Sequence, residues 1–163
     1  MEIAVLGGGH GCYAAAADAA EAGHAVRFWR RDADAFADVL DSGTITVTDS
    51  RGRREVKIAR PTTDLAAAIR GAELILAPLP GHAQEGLADA MAPHLTDGQV
   101  VFAPPGTFGA YLMAKRVRDS GNKADIAWGD AGTLPWLVRK QGDGSIRITT
   151  RAERLPSGIF PAR

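Results

Sequence analysis

Gly7, Gly8, Gly9 and Gly11 fall within five residues, interrupted only by His10. They follow an apolar run at residues 3–6 and precede an alanine-rich stretch at residues 14–22. A strand that breaks into glycine and then into helix leaves backbone N–H groups, and the positive end of the helix dipole, aimed at one point. The chemistry suited to that point is anion binding, and above all the binding of a diphosphate. In the spacing Gly7-x-Gly9-x-x-Cys12, the first glycine allows the sharp turn and the second lets a phosphate approach the backbone. The third position needs a small residue for helix–strand packing, which Cys12 supplies without being glycine. Gly11 lies inside the same turn, and His10 reads as a cofactor or packing contact. Such a pattern alone is weak, and a purely structural turn in another α/β protein is the alternative. Its position between a strand and a helix favours dinucleotide binding.

Trp29, Arg30, Arg31 and Asp32 stand where a second strand would end. An acidic residue about 20 positions beyond the glycines would hold the ribose 2′-hydroxyl of NAD. Two guanidiniums instead suit a 2′-phosphate, because arginine forms bidentate, charge-assisted contacts. The expectation is NADP, held by Arg30 and Arg31. The alternative is NAD, with both arginines solvated and Asp32 on the ribose. Trp29 or Arg30 would also suit stacking on adenine.

In open α/β sheets ligands sit beyond the carboxyl ends of the strands. Pro78, Leu79 and Pro80 follow one expected strand and should therefore touch the cofactor, and Gly81 could admit a close contact. His82 is a candidate acid–base group, against the commoner reading of an exposed loop histidine. Pro105 and Gly106 follow the next strand and should lie near the nicotinamide. Asp130, Thr133 and Arg139 are the polar candidates for the substrate side, each equally readable as part of a structural loop. His24 and His94 read as surface residues at helix ends. Cys12 sits at a helix N-terminus, which can lower a thiol pKa, but packing is the preferred role. No paired carboxylates, Ser–His–Asp order or metal-ligand cluster stands out.

The elements expected to position these residues alternate between strand and helix. Strands are read at residues 2–6, 25–29, 73–78, 99–103, 124–128 and 145–150, and helices at 11–22, 34–42, 65–70, 83–92 and 107–120. Residues 44–48 and 54–58 alternate polar and apolar positions around a turn at 49–52, the signal of an antiparallel hairpin. Residues 129–136 read as a loop. The alternation implies parallel pairing and a Rossmann-like, doubly wound, mostly parallel sheet flanked by helices, with a small antiparallel excursion near 44–58.

The chain of 163 residues suggests one domain able to bury a full core. Its 19 basic and 19 acidic residues cancel, so nothing favours nucleic acid or an anionic membrane as a partner. Apolar runs are far shorter than the roughly 20 residues of a membrane span, and no signal peptide is read at Met1. Cys12 is the single cysteine, which excludes an internal disulfide and a multi-cysteine metal site. A soluble, cytoplasmic protein without a metal is the expectation; a homodimer is compatible with the residues but not read from them.

Taken together, several segments resemble the N-terminal NAD(P)-binding domain of the octopine/nopaline (opine) dehydrogenase family. They are residues 7–11, 22–29, 63–68, 72–76, Pro80 and Ala83, 95–101, Pro105 and Gly106, residues 133–135, Arg139, and Phe160 with Pro161. Their order and spacing carry the resemblance, which covers nearly the whole chain. The resemblance implies an oxidoreductase that joins an amino acid to a 2-oxo acid and reduces the imine with NADP or NAD. The family usually has Asn where His10 stands, Gly at Cys12, His at Gln84, Glu at Asp130 and Tyr at Trp136. It also implies that residues 1–163 form the nucleotide-binding domain, and that the family's helical catalytic domain is absent from this chain. The chain alone is then expected to be catalytically incomplete, with a fragment preferred over a separately encoded partner or a shortened binding protein. Two other readings stay open: a ketopantoate-reductase-like or 6-phosphogluconate-like reductase domain, and a non-enzymatic nucleotide-binding module.

Overall fold

A computed structural model describes residues 1–142 and 144–161; the closing Ala162 and Arg163 lie outside the described residues. The chain opens with β1 (Glu2–Leu6), α1 (His10–Glu21) and β2 (Ala25–Trp29). A 3₁₀ turn at Asp34–Phe36 leads into α2 (Ala37–Ser42), then β3 (Thr44–Asp49), β4 (Gly52–Lys57) and β5 (Arg60–Thr62). Next come α3 (Leu65–Ile69), β6 (Leu74–Leu76), α4 (Gly81–Met91), a 3₁₀ turn at Ala92–His94, β7 (Val100–Phe102) and α5 (Gly109–Asp119). The chain closes with β8 (Ala127–Ala131), β9 (Trp136–Gly142), β10 (Ser145–Arg151) and β11 (Ser157–Phe160).

Seven strands form the main sheet in the order β11-β8-β7-β6-β1-β2-β5. All its pairings are parallel except the edge pair of β11 and β8. This is the expected doubly wound sheet: β1, β6 and β7 carry the continuous apolar runs of strands covered on both faces. The buried side chains divide into two clusters. One joins β6, β7 and β8 to α3, α4 and α5 through residues such as Ile75, Val101, Leu87, Met91 and Met113. The other joins β1 and β2 to α1 and the smaller sheet through Val5, Phe28, Tyr13, Val47 and Ile148.

The excursion near 44–58 is larger than expected. Its hairpin of β3 and β4 is there, but it belongs to a four-stranded sheet ordered β4-β3-β10-β9, in which β10 pairs in parallel with β3. That second sheet covers α1, which explains the alanine content of the helix. Residues 11–17 are all buried, because α1 has the main sheet on one side and the smaller sheet on the other. Small side chains let both sheets approach the same helix. Asp18 anchors the arrangement from the solvent end: its carboxylate accepts from Trp136 Nε1 at 2.7 Å and from Arg151 at 2.8 and 2.9 Å.

Several boundaries differ from the expected ones, three of them around the end of the main sheet. The stretch expected as a loop at 129–136 contains the end of β8, and β9 begins at Trp136. The strand read at 124–128 lies at Ala127–Ala131, where residues 127–129 pair with β7. Helix α5 starts only at Gly109, because Thr107 and Phe108 hold φ values of +48° and +68°. Asp64 caps α3, its side chain accepting from Ala67 N at 3.0 Å.

Candidate functional site

Because β1, β2, β6, β7 and β8 run parallel, their carboxyl ends meet along one edge of the sheet. Leu6 is level with Trp29, Val5 with Leu76, and Leu76 with Phe102. Gly7, Arg30, residues 77–80, residues 103–106 and Asp130 therefore share one rim. The rim is knit by its own backbone: Gly7 N donates to Trp29 O at 2.9 Å, and Gly106 N to Ala131 O at 2.8 Å.

The glycines of the turn do different work. Gly7 has φ +118°, and a Cβ there would stand 2.5 Å from Leu79 Cδ2 and 2.9 Å from Cys12 Sγ. A Cβ on Gly11 would meet Leu134 at 3.0 Å and Pro78 at 3.2 Å. Those two positions are glycine because the protein itself fills the space. Gly9 is different: nothing lies within 4 Å of its Cβ position. Its backbone is ordinary extended chain, φ −77° and ψ 173°, and it precedes α1 without a side-chain cap. The open space of the turn thus lies over the helix N-terminus, which is the cradle an anion such as a diphosphate needs.

Cys12 is wholly buried, and its thiol lies 3.6 Å from Leu6 O and 3.5 Å from Pro78 O, within hydrogen-bonding reach of both. Burial pushes the thiol up to about 12, outweighing the favourable backbone and cationic surroundings. Its role is packing, and it pins the 78–80 loop to the end of β1. His10 is exposed, and its Nδ1 accepts from Lys140 N at 2.8 Å, so it ties α1 to β9.

Arg30 lies across the turn. Its side chain passes so close to Gly8 that a Cβ there would collide with Arg30 Nε and stand 2.6 Å from Cδ. Arg30 Nη1 donates to Ala35 O at 2.5 Å and reaches Tyr13 Oη at 3.4 Å. Arg31 and Asp32 are exposed. Asp32 is engaged locally, its Oδ1 accepting from Ala35 N at 3.0 Å. Trp29 donates its indole N–H to Thr63 O at 3.0 Å, turning the ring toward the loop before α3.

Two further residues shape the site, one of which, Lys140, the sequence did not point to. Buried Gln84, on α4, directs its Nε2 toward Leu79 O (3.4 Å) and Pro105 O (3.5 Å), bridging the two rim loops. The sequence marked Gln84 only as the position where the resembled family usually has His, not as an amide facing two loops. Lys140, on β9, projects over the Tyr13 ring with Nζ 4.2 Å from its centroid. Nothing short of recognising β9 would have placed it.

The substrate-side candidates are not gathered together. Asp130 sits on the rim, packed against Gly106, and its Oδ2 accepts from Ala110 N at 3.2 Å, capping α5. Thr133 is exposed in the following loop, and His82 is exposed on the first turn of α4. Arg139 is exposed on β9, on the opposite face from buried Val138 and from Lys140. Among the described residues no group of His, Cys, Asp and Glu is arranged to hold a metal ion. Among the described residues no helix is long and apolar enough to cross a membrane.

Residues 2–108 match the family described as NAD-dependent glycerol-3-phosphate dehydrogenase N-terminus. An opine dehydrogenase from Arthrobacter sp. (strain 1C) is 25% identical over 162 residues, covering 98% of this chain and 44% of that protein. A solved octopine dehydrogenase in complex with NADH and agmatine is 28% identical, with TM-score 0.80 over 97% of this chain and 41% of that one. A ketopantoate reductase of the PanE/ApbA family from Ralstonia eutropha JMP134, 21% identical with TM-score 0.67 over 91% of this chain and 46% of that one, shares the fold. The chain thus spans less than half the length of these relatives. It belongs to the family of NAD-dependent glycerol-3-phosphate dehydrogenase N-termini, and its sequence and fold are similar to those of the N-terminal NAD(P)-binding domain of the opine dehydrogenases.

Proposed function

We propose that this chain is the NADP(H)-binding domain of an opine-type oxidoreductase that reduces the imine formed from an amino acid and a 2-oxo acid. One observation carries the nucleotide half of the reading. The only turn glycine over open space, Gly9, lies at the start of α1, beside an arginine fixed at the end of β2. Backbone N–H groups around Gly9, His10 and Gly11 would hold the diphosphate, with Gly7 and Cys12 shaping the turn. Arg30 and Arg31 would face the ribose 2′-phosphate, beside Asp32, whose Oδ1 accepts from Ala35 N. The loops at Pro78, Leu79, Pro80 and at Pro105, Gly106 would bound the nicotinamide.

The bound nicotinamide supplies the hydride chemistry, and this chain's residues bind and orient it. A cytoplasmic setting belongs to the same proposal, as do a small amino acid and a 2-oxo acid as substrates of the complete enzyme. Nucleic acid and membrane are not among the proposed partners, and no catalytic residue is assigned.

Calorimetry with NADPH and NADH tests the reading. The 163-residue chain is expected to bind NADPH in preference to NADH, and to show negligible turnover of an amino acid with a 2-oxo acid. Arg30→Ala with Arg31→Ala should abolish the preference; if it persists, the 2′-phosphate assignment fails. In the complete protein, turnover of a keto acid that does not depend on an added amino acid would favour the ketopantoate-reductase-like reading. Nucleotide binding without redox chemistry in the complete protein would favour a sensing module.

A further inference from the structure

Two cations stand on one tyrosine, and among the described residues neither is in an ion pair. Lys140 Nζ is 4.2 Å from the centroid of the Tyr13 ring, and Arg30 Nη1 is 3.4 Å from the hydroxyl of the same residue. Tyr13 is fully buried and meets Phe28 edge-on with ring centroids 5.0 Å apart, so both cations rest on a fixed platform. Among the described residues, the ion pairs engage Arg27, Arg51, Arg54, Lys115, Arg116 and Arg151, and neither Arg30 nor Lys140. Burial pulls the Lys140 ammonium below its ordinary range, and the charge of Arg30 adds to the effect. Two like charges held on one ring, next to a turn shaped for an anion, are what a bound anion would relieve.

Lys140 is also fixed in place. Its backbone N–H is bonded to His10, the first residue of α1, and it shares a strand face with Val138, which is buried in the cluster around α1. The position separates two anions. A diphosphate over Gly9 would lie at the very start of α1, whereas Tyr13 is one turn further along, and Arg30 ends β2, where the fold faces the adenosine ribose.

We propose that Lys140 and Arg30 form a two-sided seat for a phosphate monoester on the adenosine ribose, so that the smaller sheet carries part of the dinucleotide preference. The inference rests on the NADP reading above and adds to it a residue from an element outside the dinucleotide-binding sheet.

Calorimetric titration of the wild-type chain, Lys140→Met and Lys140→Arg with NADPH, NADH and 2′,5′-ADP tests it, with circular dichroism confirming the fold of each. Loss of one charge-assisted contact should weaken NADPH and 2′,5′-ADP by about tenfold in Lys140→Met and NADH by less than about twofold. Lys140→Arg should recover most of the loss. Equal weakening of NADPH and NADH would move Lys140 to the diphosphate and overturn the proposal, as would unchanged NADPH affinity in Lys140→Met. If wild type prefers NADPH and Lys140→Met keeps that preference, only this inference fails. If wild type binds neither dinucleotide, the functional reading fails first and carries this one with it.

Discussion

Gly9→Ala separates the needs of the fold from the needs of a ligand. The residue has φ −77° and ψ 173°, an ordinary conformation for alanine, and no heavy atom beyond its own chain neighbours lies within 4 Å of the new methyl. Folding should therefore not suffer. Removing glycine also restricts the unfolded chain, which stabilises by about 0.4–1 kcal/mol at a compatible site. The expected melting temperature is unchanged or higher by about 1–4 °C. Binding should behave oppositely. The methyl occupies the open space over the start of α1, so a diphosphate there would lose one or two N–H···O⁻ contacts. Each such contact is worth about 1.5–3 kcal/mol, which gives a loss in NADPH affinity of at least about tenfold. Thermal unfolding and calorimetry on the same preparation read both effects. Gly7→Ala is the contrasting case: its φ of +118° and its overlap with Leu79 should destabilise the fold itself. A Gly9→Ala chain that folds normally and binds NADPH as tightly as wild type would refute the placement of the diphosphate.

Other expectations follow from neighbouring contacts. Cys12, buried and pushed up to about 12, should resist thiol reagents at pH 8 in the native chain and react fully in guanidinium; stoichiometric labelling of the native chain would show that the thiol is accessible. The Asp49 side chain, 1% exposed, receives hydrogen bonds from Arg54 and Arg151, and Arg54 foremost holds its carboxyl well below the usual range. A depressed folded value means that this stability is present above the unfolded value of about 4 and is lost as pH falls below it. Urea unfolding should show Asp49→Asn costing about 1–3 kcal/mol at pH 7, with a shallower decline than wild type from pH 4 downward; parallel pH curves would count against the network. Gln84→Leu removes the amide that spans Leu79 O and Pro105 O. Those contacts are long, so denaturant unfolding should register only about 1 kcal/mol, and a loss several times larger would mean that Gln84 does more than join two loops.

The first 29 residues were legible because each step there is a local rule: apolar run, glycine turn, alanine helix, apolar run. The hairpin at 44–58 was legible for the same reason, since its turn residues lie between its strands. What escaped the sequence depended on distant partners. Strand β9 follows Pro135 and carries only Leu137 and Val138 as aliphatic residues, and it is a strand because β10 pairs with it and α1 receives Val138. Strand β10 was visible as alternation, but its pairing with β3 joins Ser145 to Thr46 across the chain, which periodicity cannot report. The late start of α5 reflects two non-glycine residues at positive φ, for which the sequence carries no cue. At the site, the glycine turn and Arg30 were readable from spacing. Lys140 was not, because its place beside Tyr13 exists only once the smaller sheet is assembled.

Dinucleotide binding by this chain depends on the backbone amides at the start of α1. Titration of the ¹⁵N-labelled chain with NADPH, followed by amide resonances, tests this directly. The largest saturable shifts should fall at Gly7, Gly9, His10, Gly11 and Cys12, with Arg30 next. Absence of saturable shifts, or shifts confined to surfaces away from this turn, would contradict it.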